Sequence, residues 1–526
     1  MEEVPSNSNM PLKIAAVAIF AIAFFLRLPS CYESFWIDEL HSAWVVWGDL
    51  NEVAPRATAG HQSPFYFLGL WFWKQWVGGS EVALRLSSVL AVSAASSILL
   101  IGITRWSRSL PAGVAAGLVL AVESNSLFFG TELRPYAFVV LFSSIACVLF
   151  LRLCDSSSRQ SQQRTWIAML VSILIATLCQ PTAIGALAWL PITLACVWFA
   201  RDRRQLFRFS LADVIVGIAA CAIGLTLWLT TLGDSWQHRG SWASFATASN
   251  ARQLWEAWDW IYLILAPLGI ACAAHAMIGL SKSSRPILFA TLLHAIIAIV
   301  ATAAFWSVSR LDIVPIWHRR FFVAVLPILA SVVGCSVAVV HQLIRRRHQG
   351  TFVTSAIAVA LLAILVLHQD KLTKLSTHPV ALVSRGEDWR AATKWVRANT
   401  SPEDRIYLDP ALIESNVRID AGLSYQIFPI VVEMQNQRMP EVPTTAQSPA
   451  MTQYLAFALH GPYSVNRRWS GPGDLYPEKW PIKNVDDRRV FLIARRSADQ
   501  FDQLKSSGAR VMSFGKLTVV SKSFDQ

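Results

Sequence analysis

The chain has 526 residues, of which 54% are hydrophobic and only 15% are charged. Soluble domains carry about 25% charged residues, so this composition excludes an ordinary soluble protein and indicates an integral membrane protein. The formal net charge is +12 at pH 7, but Lys and Arg fall largely in short loops between apolar runs, as membrane topology signals do. Because no basic stripe with interleaved aromatic residues is present, we expect no nucleic-acid partner.

The chain divides into two regions of different composition. Up to about His368, apolar runs follow one another with short polar breaks, and beyond it no apolar run is long enough to span a bilayer. The composition therefore predicts a membrane domain over residues 1–368 and a soluble domain over residues 369–526.

A transmembrane helix needs about 20 mostly apolar residues, and this rule predicts about eleven spans. They are Leu12–Leu28, Val82–Ile103, Leu110–Phe128, Tyr136–Leu153, Trp166–Cys179, Ala183–Ala200, Phe209–Leu232, Leu254–Leu280, Pro286–Val308, Phe321–Ile344 and Phe352–His368. Only Gln180-Pro181-Thr182 separates the fifth from the sixth, and we interpret it as a tight hairpin. The alternative is a single kinked helix, which would reverse the orientation of everything downstream.

Loop charge favours the hairpin and sets the orientation. If the N-terminus is cytoplasmic, every cytoplasmic loop is short and basic, as the positive-inside rule requires. The basic residues of these loops are Arg105 and Arg108; Arg159 and Arg164; Arg201, Arg203, Arg204 and Arg208; Lys282 and Arg285; and Arg345, Arg346 and Arg347. The sequence thus predicts a multi-pass protein of a bacterial inner (plasma) membrane, with a cytoplasmic N-terminus and a periplasmic or extracellular C-terminal domain.

The first outer loop, residues 30–80, is longer than a connector requires and opens with two adjacent acids. Asp38 and Glu39 are flanked by aromatic residues, and burying acids near a membrane is costly without a use. A partly desolvated carboxylate has a raised pKa and is a better general base. The alternative is that both acids cap a short helix and face water.

The same loop continues into an aromatic, amphipathic stretch, Phe65–Trp76, that suits a helix lying in the membrane interface. His61 stands just ahead of it and could bond a phosphate, bind a metal or orient a carboxylate. A lone loop histidine is more often structural, so a structural role for His61 is the alternative.

Two further outer segments carry basic side chains. Glu132 and Arg134 stand at the mouth of the span that begins at Tyr136. The segment before the tenth span contributes His318, Arg319 and Arg320. Arginine offers bidentate donors to phosphate oxygens, which suits a phosphate anchored in lipid, whereas the alternative for any single Arg is snorkelling to lipid headgroups.

The soluble domain begins with Glu387-Asp388-Trp389-Arg390 and a helical stretch to Ala398. Alternating strands and helices follow, which predicts a small α/β domain. The predicted elements are strands Arg405–Leu408 and Arg489–Ala494, a short helix Ala498–Ser506 and a hairpin Arg510–Ser523. The Pro- and Gly-rich middle, Met439–Asp487, receives no assignment.

Taken in order, these motifs resemble those of the protein O-mannosyltransferase-like and aminoarabinose-transferase-like glycosyltransferases with the C-type membrane fold. The matching positions are Trp36-Ile37-Asp38-Glu39; His61 with Pro64 and Tyr66; Glu81–Ser87; Glu132, Arg134 and Tyr136; Arg320 with Pro327; and Glu387–Arg390. The resemblance covers essentially the membrane region and the beginning of the soluble domain.

The resemblance implies an inverting glycosyltransferase that moves a monosaccharide from a polyprenyl-phosphate donor to a hydroxyl of a glycan, lipid or protein acceptor on the outer face of the membrane. Asp38 would be the general base, and Glu39 would support it or bind acceptor or metal. Arg134 and Arg320 would hold the leaving phosphate, whose developing charge is the natural target for electrostatic stabilisation. The other implied substrate-binding residues are His61, Tyr66, Glu132, Tyr136, His318 and Arg319.

No cofactor is predicted, and the participation of a divalent metal stays open. Family members often have His-Pro-Pro where this chain has His61-Gln62-Ser63-Pro64, and many place a His where Gln180 stands. The eight cysteines show no CxxC spacing, which argues against a disulfide framework or a zinc site. The sequence contains no GxxxxGK[ST] motif and no convincing Asp-x-Asp, which fits a lipid donor better than a nucleotide sugar.

Two other functions are weighed against this one. A transporter or flippase of lipid-linked sugars should carry ionisable groups in the middle of several spans, where this sequence offers mainly His275 and His294 and shows no internal repeat. A non-catalytic glycan-assembly protein would leave Asp38 and Arg320 without a role, so substituting either residue would be harmless.

Overall fold

The computed structural model describes residues 10–59, 62–154, 159–199, 211–231, 246–278, 284–344, 350–371, 382–400, 405–409, 489–495, 497–506 and 508–523. The chain forms two compact units. The first unit comprises Met1–Cys31 and Arg85–Val383, and the second comprises Tyr32–Leu84 and Ser384–Gln526. The first outer loop therefore belongs to the same unit as the C-terminal region, a grouping that the sequence analysis does not predict.

The first unit is a bundle of apolar helices. Its described helices are Met10–Arg27, most of Glu81–Ser107, Leu110–Val122, Ser124–Gly130, Tyr136–Leu153, Arg159–Cys179, Ala183–Leu187, Trp189–Phe199, Leu211–Thr231, Arg252–Glu256, Ala266–Ile278, Ser284–Arg310, Leu326–Ile344 and Gly350–His368. It also contains most of the 3-10 turn Leu28–Tyr32, the 3-10 turn Val323–Val325 and a π-helical turn at Ile261–Leu265. Within the described ranges, eight helices are long and apolar enough to span a membrane, or nine if one bent pair counts as a span.

Helices occupy all eleven segments predicted as spans, and the prediction of a polytopic helical membrane protein is confirmed. Three segments differ in detail. The predicted span Leu110–Phe128 is a bent pair of helices, and the sixth and seventh spans contain shorter apolar helices, Ala183–Val197 and Ile215–Thr226.

The centre of the bundle is the helix Leu326–Ile344, whose spanning window is entirely buried. It packs against Leu110–Val122, Tyr136–Leu153, Ala266–Ile278 and Ser284–Arg310. A helix that is apolar on every face is expected to lie in such a core. Lipid tails are as apolar as leucine, so close packing rather than the hydrophobic effect holds such helices together.

Glycines permit the closest helix contacts in the bundle. A Cβ added at Gly334 would lie 2.7 Å from Cβ of Ala116 and 2.8 Å from the carbonyl oxygen of Ala112. A Cβ at Gly113 would lie 2.4 Å from the carbonyl oxygen of Leu100. Backbones approach this closely only where small residues line both sides.

The bend in the third predicted span has a specific cause. Leu110–Val122 and Ser124–Gly130 meet at 62°, and Glu123 lies between them in an extended conformation. Its carboxylate accepts the backbone N–H of Ser126 at 2.7 Å and the Nδ2 of Asn125 at 2.8 Å. The predicted span Leu110–Phe128 is therefore broken at Glu123, because an acid within an apolar run is better placed as an N-cap, where it satisfies free N–H groups.

Arg27, at the end of the first helix, donates hydrogen bonds to groups on the other side of this break. Its guanidinium is fully buried and donates to the carbonyl of Ala121 at 3.0 Å and to Oγ of Ser126 at 2.9 Å. A cation near the last carbonyls of a helix satisfies groups that have no intrahelical partner. Arg27 and Glu123 therefore cap opposite sides of the bend.

The second unit combines three helices from the first outer loop with a small α/β domain. The loop helices are Ile37–Trp47, Leu50–Ala59 and Pro64–Val77; the C-terminal region adds helix Trp389–Asn399, strand β1 (Arg405–Asp409), strand β2 (Arg489–Ala494), the 3-10 turn Ala498–Phe501, helix Asp502–Ser506, strand β3 (Arg510–Phe514) and strand β4 (Leu517–Ser523). The strand order is β1-β2-β4-β3, with β1 parallel to β2 and the other pairs antiparallel. Every strand and helix predicted for this region is present, and Met439–Asp487 lies outside the described residues.

The helix Pro64–Val77 matches the aromatic stretch that the sequence predicts to be interfacial. Phe65, Phe72 and Trp76 are 43%, 54% and 87% exposed. Their spacing of seven and four places them on one face of the helix. That apolar face is what an interfacial helix requires, and the interfacial position stays a prediction.

The packing of Gly334 leads to a stability prediction. We expect Gly334→Ala to lower the free energy of unfolding by about 1–3 kcal/mol, because the neighbouring backbone and Cβ cannot move aside easily. Gly269→Ala is the matched control, since a Cβ there has nothing within 4 Å and removing a helical glycine is neutral or stabilising. Thermal unfolding of the detergent-purified variants, followed by tryptophan fluorescence, measures both. Equal midpoints would contradict this account of the core.

Candidate functional site

Asp38 and Glu39 lie side by side at the start of the helix Ile37–Trp47 but have different environments. Asp38 is the second residue of the helix and is half-buried, whereas Glu39 is fully buried. The Glu39 carboxylate accepts the backbone N–H of Trp36 at 3.3 Å and lies 3.9 Å from Nε of Arg385. The alternative that both acids face water is therefore wrong for Glu39, and Asp38 carries the more accessible carboxylate.

The first turn of this helix has an unusual cap. Trp36 stands at the N-cap position and its side chain accepts no capping hydrogen bond. Instead, Oε2 of Glu387 accepts the backbone N–H of Ile37 at 3.1 Å. The positive end of the helix dipole favours a carboxylate there.

Two basic side chains hold the other end of the same helix. Arg56 donates to the carbonyl of Trp44 at 2.8 Å, and Lys74 donates to the carbonyls of Val46 and Trp47 at 3.1 and 3.0 Å. Burial lowers the pKa of Lys74, and the nearby charge of Arg56 lowers it further. The helix that carries Asp38 is thus fixed at both termini by side chains from other segments of its unit.

Tyr66 lies on the neighbouring helix Pro64–Val77 and is buried. Its ring is 5.0 Å from that of Phe67, which in turn lies 6.2 Å from the ring of His41. His41 is on the Asp38 helix, so the two helices pack through these rings. His61 lies outside the described residues.

In the first unit, Glu132 and Arg134 occupy a tight turn before the helix Tyr136–Leu153, and all three predicted residues of this segment are buried. The carbonyl of Glu132 accepts Oγ of Ser88 at 2.7 Å and the backbone N–H of Arg134 at 2.8 Å. The ring of Tyr136 lies 5.1 Å from that of Phe129. The turn is therefore fixed by local contacts.

Arg319 and Arg320 are adjacent in sequence but differ in their contacts. Arg319 is exposed and donates to Oδ1 of Asn125 at 3.2 Å and to the carbonyl of Glu256 at 3.0 Å. Arg320 is half-buried, and its guanidinium lies 5.3 Å from the ring centroid of Phe321. Its backbone N–H donates to Nδ1 of His318 at 3.3 Å.

The structure assigns the predicted site residues to two groups. Asp38, Glu39 and Tyr66 belong to the second unit. The first unit contains Glu132, Arg134, Tyr136, His318, Arg319 and Arg320. Within the first unit, the turn Val323–Val325 that follows Arg320 packs against the helix Tyr136–Leu153.

Sequence reasoning missed the residues that fix these segments. They are Glu123, Asn125, Arg385 and Arg495, while Glu387 was named only as part of a motif and its contact was missed. For Glu123 the signal was present, since Glu-Ser-Asn-Ser interrupts an apolar run. For the others no local pattern indicates the partner. Among the described residues, no group of three or more His, Cys, Asp or Glu side chains is arranged to hold a metal ion.

The different burial of the two acids predicts different effects of substitution. We expect Glu39→Ala to cost about 2–4 kcal/mol of unfolding free energy, because it leaves the buried Arg385 without this carboxylate. Asp38→Asn should leave the unfolding midpoint of the purified protein unchanged, since the Asp38 side chain is half-buried and asparagine is nearly isosteric with aspartate. A large loss of stability in Asp38→Asn would show that Asp38 is structural.

Comparison with solved structures relates this geometry to known proteins. The crystal structure of ArnT from Cupriavidus metallidurans in the apo state aligns over 98% of both chains with a TM-score of 0.52 at 13% identity. Its complex with undecaprenyl phosphate aligns over 97% of both chains, with a TM-score of 0.49 at 14% identity. The crystal structure of the Archaeoglobus fulgidus oligosaccharyltransferase complex with zinc and sulfate aligns over 91% of this chain and 67% of that chain, with a TM-score of 0.43 at 12% identity.

No protein-family model and no curated protein sequence matches this chain. The likeness to ArnT, an aminoarabinose transferase, thus rests on the path of the backbone along nearly the whole of both chains. This protein has the fold of the C-type membrane glycosyltransferases.

Proposed function

We propose that this protein is an inverting glycosyltransferase that moves a sugar from a polyprenyl-phosphate donor to an acceptor hydroxyl on the outer face of an inner (plasma) membrane. The observation that carries the proposal is Asp38, a half-buried carboxylate on a helix fixed at both ends, in a chain with the C-type glycosyltransferase fold. ArnT, which shares that fold, is a protein that has been crystallised with undecaprenyl phosphate, so a polyprenyl phosphate is the donor carrier to test first.

Asp38 is assigned as the general base. Its carboxylate takes the proton of the acceptor hydroxyl as the acceptor oxygen attacks the anomeric carbon from the face opposite the phosphate. The bond between that carbon and the phosphate oxygen breaks, and the polyprenyl phosphate leaves with the electron pair. Glu39 is a poorer candidate for this role, because its carboxylate is buried and already contacts Trp36 and Arg385.

Arg134 and Arg320 are assigned to the leaving phosphate, whose negative charge grows as the bond breaks. Arg319 is a poorer candidate for this role. Arg319 has both of its terminal nitrogens in hydrogen bonds to Asn125 and Glu256. Arg320 is half-buried, and the ring of Phe321 restricts its guanidinium, which lowers the entropy lost on binding. His61, Tyr66, Glu132, Tyr136, His318 and Arg319 are assigned to substrate binding.

The transporter hypothesis gains no support from His294, one of the two mid-span histidines that would favour it. His294 is fully buried. Its Nδ1 lies 2.8 Å from the carbonyl oxygen of Ala290, and its ring packs on the edge of Phe150. This is the environment of a packed core histidine rather than of one that lines a substrate path.

Release of polyprenyl phosphate tests the proposed reaction. Purified protein is supplied with a panel of polyprenyl-phosphate sugars and co-extracted lipid acceptors, and free polyprenyl phosphate is followed by mass spectrometry. We expect Asp38→Asn to lower kcat by about 10²–10⁴, as loss of a general base does. Arg320→Ala should lower it by about 10²–10³, as loss of an electrostatic stabiliser does.

Arg252→Ala is the matched control, because it removes an exposed guanidinium that pairs with Glu256 and to which the proposed reaction assigns no role. It should retain at least about half of the wild-type rate, as expected for a group outside the reacting atoms. Full activity of Asp38→Asn would show that another group is the base. Binding of a donor without turnover in the wild type would favour a transporter or a glycan-assembly protein.

The proposed orientation is tested by cysteine labelling in intact cells. Ser513, in β3, and Arg105, in a loop predicted to be cytoplasmic, are both exposed. We expect a membrane-impermeant maleimide added to spheroplasts to label Ser513→Cys above the wild-type background and to label Arg105→Cys only after the membrane is opened. The reverse pattern would place the C-terminal domain in the cytoplasm and contradict the proposed reaction side.

A further inference from the structure

Glu387 opens the motif Glu387-Asp388-Trp389-Arg390, to which the proposed reaction assigns no role. Its side chain is 1% exposed. Oε1 accepts Nε and Nη2 of Arg495, both at 2.7 Å, while Oε2 accepts Nε1 of Trp389 at 2.9 Å and the backbone N–H of Ile37 at 3.1 Å. A buried carboxylate is stable only with such a complete set of donors.

The hydrogen bond between Glu387 and Ile37 is important because of its position at the start of the helix. Ile37 is the first residue of the helix, and the first N–H groups of a helix have no intrahelical acceptor. A Ser, Thr, Asp or Asn at the N-cap usually provides one, but here the N-cap residue is Trp36. Glu387, which lies 350 positions later in the chain, takes its place. Asp38 is the residue immediately after the amide that Glu387 holds.

Further contacts close to the motif connect the same two segments of the second unit. Oγ of Ser34 donates to the carbonyl of Glu387 at 2.6 Å and accepts the backbone N–H of Trp389 at 3.0 Å. The guanidinium of Arg385 lies beside Glu39, on the same helix turn as Asp38. The segment that leads into the Asp38 helix is therefore joined to the C-terminal region by side chains as well as by backbone groups.

Arg390 makes a second connection between the same parts of the second unit, away from Asp38. It is half-exposed, pairs with Glu81 and donates to the carbonyl of Tyr32 at 3.1 Å. The two contacts can therefore be separated by substitution. Loss of Arg390 loosens the attachment of the C-terminal region without touching the Asp38 helix.

We propose that Glu387 is a positioning residue for the transfer reaction, because it fixes the first turn of the Asp38 helix and so the direction in which the Asp38 carboxylate points. The inference rests on the proposed function, in which Asp38 is the general base. It gives the C-terminal region a defined task, which is to hold the base in the orientation for proton transfer. Small displacements of a reacting group lower rates steeply.

The test compares Glu387→Ala, Glu387→Gln and the control Arg390→Ala in the full-length protein. Glu387→Ala should lower kcat by about 10- to 100-fold, as a displaced catalytic group does. Its KM for the polyprenyl-phosphate sugar should stay within about twofold of wild type, since ground-state binding of the donor is unchanged. Glu387→Gln keeps an oxygen that can accept the N–H of Ile37 and should recover much of kcat. Arg390→Ala should leave kcat unchanged.

Hydrogen exchange read by mass spectrometry tests the contact without reference to activity. Peptides covering residues 36–40 should exchange faster in Glu387→Ala than in Arg390→Ala, and peptides from the helix Leu326–Ile344 should not change in either. If Glu387→Ala folds poorly because it leaves the half-buried Arg495 without this carboxylate, the double variant Glu387→Ala/Arg495→Met removes that charge. It should fold and still show the loss of kcat.

The outcomes separate the two proposals. Wild-type kcat in Glu387→Ala or in the double variant would overturn the positioning role and leave the proposed function intact. An equal loss of kcat in Arg390→Ala would also overturn it, because the effect would then follow from general attachment of the C-terminal region. Failure of the wild-type protein to turn over any donor would instead overturn the proposed function.

Discussion

The structure depends on one constraint, that backbone groups within a bilayer have no water to bond and must find partners inside the protein. A straight helix meets it alone, whereas a broken helix exposes N–H and carbonyl groups at the break. The bend at Glu123 is possible because the Glu123 carboxylate takes the new N–H groups and the buried Arg27 takes the new carbonyls. Charged residues in the apolar region are thus explained by the helix ends they satisfy.

The helix that carries Asp38 follows the same rule outside the predicted spans. Its first N–H groups are held by Glu39 and Glu387, and its last carbonyls by Arg56 and Lys74. Short helices are marginal in isolation, because nucleation costs more than a few hydrogen bonds return. This helix has eleven residues and therefore keeps a fixed orientation because other segments cap it. The proposed general base needs a fixed orientation, since proton transfer requires contact with the acceptor hydroxyl.

The sequence predicted the helices well because hydropathy is local. Tyr136–Leu153 was predicted to the residue, and the strands of the C-terminal sheet were predicted to within about one residue. The bend at Glu123 was not predicted, since a single acid changes the mean hydropathy of a window very little while it changes the path of the chain. Glu387 was recognised as part of a motif, but its bond to Ile37 joins residues 350 positions apart. No pattern within a single sequence encodes such a pair.

The same limit applies to the choice between neighbouring residues of one chemical type. Asp38 and Glu39, like Arg319 and Arg320, are adjacent residues of one chemical type, and composition and charge alone do not reveal the contacts of Glu39 and Arg319. The carboxylate of Glu39 is committed to Trp36 and Arg385, and the guanidinium of Arg319 to Asn125 and Glu256. A group committed to holding the fold must break those bonds before it can accept a proton or a phosphate, and the cost of breaking them raises the barrier. That cost counts against Glu39 as the general base and against Arg319 as the ligand of the leaving phosphate, the roles that the proposed function gives to Asp38 and Arg320.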